Sequence, residues 1–247
     1  MVLGVCETPR TPADWSAMSP SHKVLMDQTY ARMKYVYDAT RPLFLFGRQR
    51  LRRRVIARHP QRVLEIGCGT GRNLIVLARA LPDAHFDGID ISSEMISYAR
   101  ARVQASANTR RIVLHEMELA AYLARFADKP APQVVIFSYS LSMIPDWQAV
   151  LRQAASALRG GNELRGGNER QGGGAIVITD FYTTALWPDW ATRRLQKNLA
   201  YFHVSPRLEL VAFLETDLAF KGWSMSHQSL LGGYAVVIEC RAPACPG

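Results

Sequence analysis

The chain has 247 residues, 48% of them hydrophobic and 21% charged, and carries a formal net charge of +9. These proportions fit an ordinary globular protein built as one α/β domain with an extension, or as two small domains. They exclude a membrane span, since no apolar run approaches the ~18 residues that one requires.

The first seven residues show no basic region followed by an apolar core, so no secretory signal is expected. Cys6, Cys68, Cys240 and Cys245 form no CxxC pair. That predicts reduced thiols in a cytosolic chain, with neither a zinc site nor a disulfide framework. The positive charge is concentrated: seven arginines fall between Arg48 and Arg62. Such a cluster attracts phosphate-bearing partners, nucleic acid or anionic lipid, unless it is only a solvated helix face. Nucleic acid is the weaker partner, because no recognised binding module accompanies the arginines.

Residues 1–20 hold three prolines and no apolar period, and read as a flexible tail. Helical spacing begins at Ser21 and breaks at Thr40-Arg41-Pro42. A second helix is predicted over 43–58, which makes 21–61 an N-terminal helical cap. From residue 62 strands alternate with helices. Strands are predicted over 63–66, 86–89, 111–114, 133–138 and 175–179, and helices over 72–81, 93–105 and 147–158. Alternation of this kind implies a parallel sheet with helices on both faces. Residues 208–220 read as a helix, and two β-type runs flank Gly232-Gly233 as a closing antiparallel hairpin. Residues 160–174 contain a near-duplicated glycine-rich segment, read as a mobile loop without chemistry.

The chemistry centres on Leu64-Glu65-Ile66-Gly67-Cys68-Gly69-Thr70-Gly71. Glycines let a backbone come close to a ligand that a Cβ would hold off. A dinucleotide fingerprint needs a further glycine three residues after Gly69, where this chain has Arg72. The alternating form suits a nucleoside bearing an amino-acid tail. Asp90, 19 residues beyond Gly71, ends the next strand and can accept from both ribose hydroxyls. Glu118 or Glu116 can meet an adenine amino group.

Leu64 through Gly71 together with Asp90 resemble motif I and the acidic motif of the S-adenosylmethionine-dependent methyltransferases. A narrower resemblance rests on Tyr37–Arg41, Gly47–Leu51, Gly71–Leu74, Phe137–Pro145 and Phe202–Arg207. These are similar to segments of the bacterial diacylglyceryl-homoserine N-methyltransferases of betaine-lipid synthesis. The resemblance implies a Rossmann-like class I methyltransferase sheet, S-adenosyl-L-methionine as cofactor, and successive methyl transfers to one amine. It also implies cofactor contacts from Tyr37, Arg41, Glu65, Gly67, Gly69, Gly71, Asp90, Ile91, Glu118 and Ser138.

Methyl transfer is an in-line displacement governed by positioning. A cationic cofactor and product favour aromatic faces, for which Tyr30, Tyr35, Tyr37 and Tyr139 are candidates. Tyr139 and His203 are the candidate catalytic residues, His203 as a proton acceptor, with Asp180 a lesser alternative. Arg41 and Arg207 can each hold a carboxylate or phosphate in a fork, Arg207 on the substrate with Tyr30 and Tyr35. The arginine helix beside Leu43–Phe46 reads as an interfacial surface, placing the enzyme in the cytoplasm or on the inner face of a membrane. Two alternatives stand beside the lipid substrate. One is a soluble amine or hydroxyl compound, and the other is a non-catalytic nucleoside- or RNA-binding role.

Overall fold

A computed structural model describes residues 45–106, 110–163, 173–201 and 204–243. The predicted helix over residues 21–40, the tail, and most of the duplicated glycine segment lie outside these ranges. Among the described residues no helix is long and apolar enough to cross a membrane.

The seven strands are β1 (Arg62–Ile66), β2 (His85–Asp90), β3 (Ile112–Glu116), β4 (Val134–Ser138), β5 (Ala175–Phe181), β6 (Ser224–Leu230) and β7 (Ala235–Arg241). They form one sheet in the order β3-β2-β1-β4-β5-β7-β6. β1 to β5 pair in parallel, and β7 inserts antiparallel between β5 and β6. The expected parallel sheet with a closing antiparallel hairpin is therefore present.

Alternation along the strands sorts two cores. Val63, Phe86, Ile136 and Val177 point to one face, which is covered by α1 (Arg48–Ala57), α2 (Arg72–Ala80) and α3 (Ser93–Gln104). Leu64, Ile89, Phe137 and Ile178 point to the other, covered by α4 (Leu119–Arg125), α5 (Trp147–Glu163) and α7 (Leu210–Thr216). β4 and β5 are buried along their whole length. Each large apolar side chain held away from water there contributes roughly 1.5–3 kcal/mol. The helix α6 (Asp189–Tyr201) adds Leu195 and Leu199 to a third cluster, around Tyr139, Phe181 and Tyr234.

Several local readings differ from the sequence expectation. The helix expected from residue 43 starts only at Arg48, because Gly47 has φ 91° and turns the chain just before it. Leu51 and Val55 are fully buried in the main core, so α1 is a layer of the sheet domain as well as part of the expected cap. α5 continues to Glu163, past its expected end at residue 158. Asp217 splits the helix expected over 208–220: its side chain accepts from the Ala219 N–H and caps a separate 3-10 turn, Leu218–Phe220. α4 and α6 were not read from the sequence. α4 is a short helix of seven residues, and α6 is mostly exposed, with Leu195 and Leu199 its anchors on the core.

The arginine cluster serves the fold in part. Arg52 donates to Asn73 Oδ1 (3.3 Å) and Arg54 to the Ser226 carbonyl (3.3 Å). Arg58 ties the end of α1 to β7 through Glu239 Oε1 (3.1 Å) and to the Gly173 carbonyl (2.6 Å).

Candidate functional site

β1 runs into the turn at full burial and reverses over three glycines with φ of 68° (Gly67), 51° (Gly69) and 68° (Gly71). An L-residue in that region costs roughly 1–2 kcal/mol. Space is a second constraint at Gly67, where a Cβ would lie 2.5 Å from Ser140 Cβ. The turn is tied to the end of β2: the N–H groups of Gly67 and Cys68 both donate to the Ile89 carbonyl, at 2.9 and 3.0 Å. Gly69 N–H donates to Asp90 Oδ2 (2.9 Å) and Ser92 N–H to Oδ1 (3.0 Å), which fixes the carboxylate at the strand end. Ser92 caps α3 through its hydroxyl, which accepts from the Met95 N–H.

A cavity of about 170 Å³ opens against this turn. From β1 the chain builds outward through β2 to β3 on one side and through β4 to β5 on the other. The cavity lies between the C-terminal ends of β1, β2 and β4, at the switch point where an open α/β sheet receives its ligand. Glu65, Gly67, Gly69, Asp90, Ile91 and Glu118 all line it, as do Ser138 and Tyr139. The sequence reading thus named eight residues that the fold brings to one place, whereas Gly71, named with them, caps α2 and does not line the cavity.

Three buried oxygens on this cavity have no hydrogen-bond partner: Glu65 Oε2, Ser138 Oγ and Ser140 Oγ. Glu65 is 1% exposed, and its other oxygen accepts from Asn73 Nδ2 at 2.7 Å. Burial pushes its carboxyl up to about 7, against the opposing influence of Asn73, Arg48 and Arg52. Leaving a buried polar atom unsatisfied costs roughly 1–3 kcal/mol. Such atoms are the expected lining of a site completed by a ligand with donors of its own. Acceptors beside the glycine turn, a carboxylate ending β2, and apolar Ile91 and Met117 further out match an amino-acid-bearing nucleoside in both chemistry and order.

The remaining named residues fall differently. Tyr139 takes the strained φ of 58° directly after β4, and its N–H donates to the Thr179 carbonyl at 2.7 Å. Its hydroxyl donates to the Phe46 carbonyl, its ring packs edge-on against Phe181 at 4.7 Å, and burial raises its pKa further above the usual tyrosine range. A hydroxyl so engaged is suited to holding the chain before α1, and poorly suited to taking a proton. Glu118 sits at the N-terminus of α4 with its carboxylate on the cavity rim and not used as a cap. Arg207, expected on the substrate, spends its guanidinium on the carbonyls of Leu141 (3.1 Å) and Ile144 (2.7 Å). Asp180 is fully buried and accepts from the N–H groups of Ser142 (3.1 Å) and Phe181 (2.8 Å). Burial lifts its carboxyl to about 6. Tyr30, Tyr35, Tyr37, Arg41 and His203 lie outside the described residues.

Sequence reasoning gave no individual role to Arg48, Asn73 or Ser140, although each lies in a resembling segment, and missed Met117. Asn73 had a readable signal, since it lies on the first turn of the helix after the glycines, eight residues from Glu65. Ser140 is recognisable only once β1 and β4 are known to be neighbours.

Comparison with known proteins agrees with this geometry. Residues 63–161 match the family model described as a methyltransferase domain. The trans-aconitate 2-methyltransferase of Rhodococcus jostii is 32% identical over 109 residues, 44% of this chain and 38% of that protein. The chain thus matches well under half the length of this curated relative. An O-methyltransferase family protein from Burkholderia thailandensis superposes with a TM-score of 0.61 at 16% identity, over 90% of this chain and 70% of the other. The plantazolicin methyltransferase, solved with S-adenosylhomocysteine, gives 0.62 at 13% identity over 90% and 96%. The fold is that of the class I S-adenosylmethionine-dependent methyltransferases, and the cofactor that this fold and domain imply is S-adenosylmethionine.

Proposed function

We propose that this protein transfers a methyl group from S-adenosylmethionine to a nitrogen or oxygen of a small molecule. The observation that carries the reading is the cavity at the switch point, with its fixed Asp90 carboxylate and three unpartnered buried oxygens. In this reading Glu65 and Ser138 hold the ammonium of the methionine tail. Asp90 accepts from the ribose hydroxyls, Glu118 meets the adenine amino group, and Ile91 covers the adenine face. When bound, the cofactor supplies a methyl group made electrophilic by its sulfonium. The residues of this chain position the acceptor in line with it and keep water out, which supplies much of the rate. No described side chain is placed as a strong base, so an amine acceptor loses its proton to solvent or to His203.

A finer reading places the acceptor nitrogen on a diacylglyceryl-homoserine lipid, with three methyl transfers ending in a trimethylammonium. What favours it is that two of the resembling segments meet at this cavity: Arg48 of Gly47–Leu51, and Ser138, Tyr139, Ser140, Met143, Ile144 and Pro145 of Phe137–Pro145. The nearer relatives are named for trans-aconitate, and both acceptors carry carboxylates, which suits Arg48 on the cavity wall. Incubation with methyl-labelled cofactor tests the two together. One arm contains vesicles with diacylglyceryl-homoserine, another trans-aconitate, and a third a panel of soluble amines. Mass spectrometry of the products counts the methyls. Label in any arm supports the activity, and three methyls on the lipid select the finer reading. Binding of S-adenosylhomocysteine too weak to detect would sink both.

A further inference from the structure

The segment that follows β4 forms one wall of the cavity through Met143, Ile144 and Pro145. It includes a short 3-10 turn, Leu141–Met143, whose own bonds run from the Met143 and Ile144 N–H groups back to the Ser140 and Leu141 carbonyls. The remaining groups of its backbone are held from outside. Asp180, at the end of β5, accepts from the Ser142 N–H. Ser205 N–H donates to the Ser142 carbonyl at 2.9 Å. Arg207 spans the turn, donating from Nε to the Leu141 carbonyl and from Nη2 to the Ile144 carbonyl. Four bonds from two distant parts of the chain therefore converge on three residues, Leu141, Ser142 and Ile144. None of these partners lines the cavity themselves.

We propose that Arg207 and Asp180 are positioning residues that fix the Leu141–Pro145 wall, so that the segment after α6 sets the shape of the ligand cavity. This rests on the functional reading above only in taking that cavity as the cofactor and acceptor site. A guanidinium suits the task because its planar fork presents donors in a fixed geometry to two carbonyls at once. An ammonium is a single point of charge and reaches one. Arg207 is partly withdrawn from solvent, and burial lowers its pKa while Glu209 and Asp180 oppose that shift; a guanidinium keeps its charge in proteins. Asp180 is anchored in turn by Phe181 N–H, which leaves its second oxygen aimed at Ser142. The wall is consequently set by β5 and by the chain entering α7, and not by β4 alone.

The test compares Arg207→Lys with the wild-type full chain by amide hydrogen exchange, by melting, and by calorimetry with S-adenosylhomocysteine. The expected result is exchange at least tenfold faster over residues 141–144, with β1 and β4 unchanged and affinity for the nucleoside about fivefold lower. If Arg207→Lys does not fold, Asp180→Asn, which keeps the shape and exchanges one acceptor for a donor, is expected to give the same local pattern. Unchanged exchange over 141–144, or faster exchange there with unaltered affinity, overturns the proposal. So does loosening spread over the whole sheet. Where the wild type methylates an acceptor in the assay above, the lysine variant raises its KM while kcat stays within about threefold. If the wild type methylates none, the exchange and calorimetry arms still decide, so failure of the activity and failure of the clamp are told apart.

Discussion

Asn73 donates its amide to one oxygen of Glu65 at 2.7 Å and leaves the other without a partner on the cavity. Burial favours the protonated acid, so the folded state holds this proton more tightly than the unfolded chain. Between about 4.5 and about 7 unfolding therefore releases a proton. The stability contributed by Glu65 is fully present below the lower value and is lost as pH rises through the upper one. The shift corresponds to a cost on the order of 3 kcal/mol above pH 7. Glu65→Gln keeps the acceptor for Asn73 and removes the charge. It is expected to melt several degrees above the wild type at pH 8, at roughly 2–4 °C per kcal/mol, with a smaller gap at pH 5. The same variant is expected to bind S-adenosylhomocysteine about tenfold more weakly. A gap that does not shrink on acidification would show that the buried charge is not the source.

Asp90 accepts two backbone N–H groups, from Gly69 and Ser92, before any ligand arrives. In Asp90→Asn one oxygen becomes a donor facing an N–H. The expected loss of S-adenosylhomocysteine affinity is about 10- to 100-fold, from a charge-assisted bond worth about 1.5–3 kcal/mol. Calorimetry measures it directly, and affinity within threefold of the wild type would remove Asp90 from the site.

Gly67 faces Ser140 just beyond the ends of β1 and β4. Gly67→Ala places a methyl group into that contact on a backbone with φ of 68°. A loss of several kcal/mol is expected from overlap and strain together. Adding Ser140→Gly is expected to return part of the loss, because it relieves the overlap and leaves the φ penalty. Chemical denaturation of the two singles and the double measures this coupling, and strict additivity would contradict it.

Tyr139→Phe leaves the Phe46 carbonyl without its partner. We expect roughly 1–2 kcal/mol of lost stability, and kcat within a few-fold of the wild type for whichever acceptor is methylated. A hundredfold loss of kcat with unchanged stability would instead restore Tyr139 to the chemistry.

The part of the cavity around the glycine turn was legible in the sequence because it is local. Glu65, the three glycines and Asp90 sit within two consecutive strand–helix units, where spacing alone gives the geometry. The wall formed by the segment after β4 was not. Ser140 meets Gly67 only across neighbouring strands, and Arg207 reaches the turn after β4 from 63 residues further along the chain. Residue type also misled there: an arginine near a site reads equally well as a ligand contact or as a clamp on backbone carbonyls. Tyr139 carried a correct location, with a hydroxyl whose partner no periodicity reveals.

The insertion of β7 between β5 and β6 has a consequence for how the protein is made. When β5 leaves the ribosome it is a seven-residue strand, Ala-Ile-Val-Ile-Thr-Asp-Phe, with one side paired to β4 and the other bare. The strand destined for that side is the last of the seven to be synthesised, after α6, α7 and β6. Until then an apolar edge of high β propensity is open to any other extended chain. A nascent molecule halted in this interval is therefore the species most prone to aggregate or to occupy a chaperone. Slowing translation between Phe181 and Ala235 should lower soluble yield more than slowing it anywhere before β5.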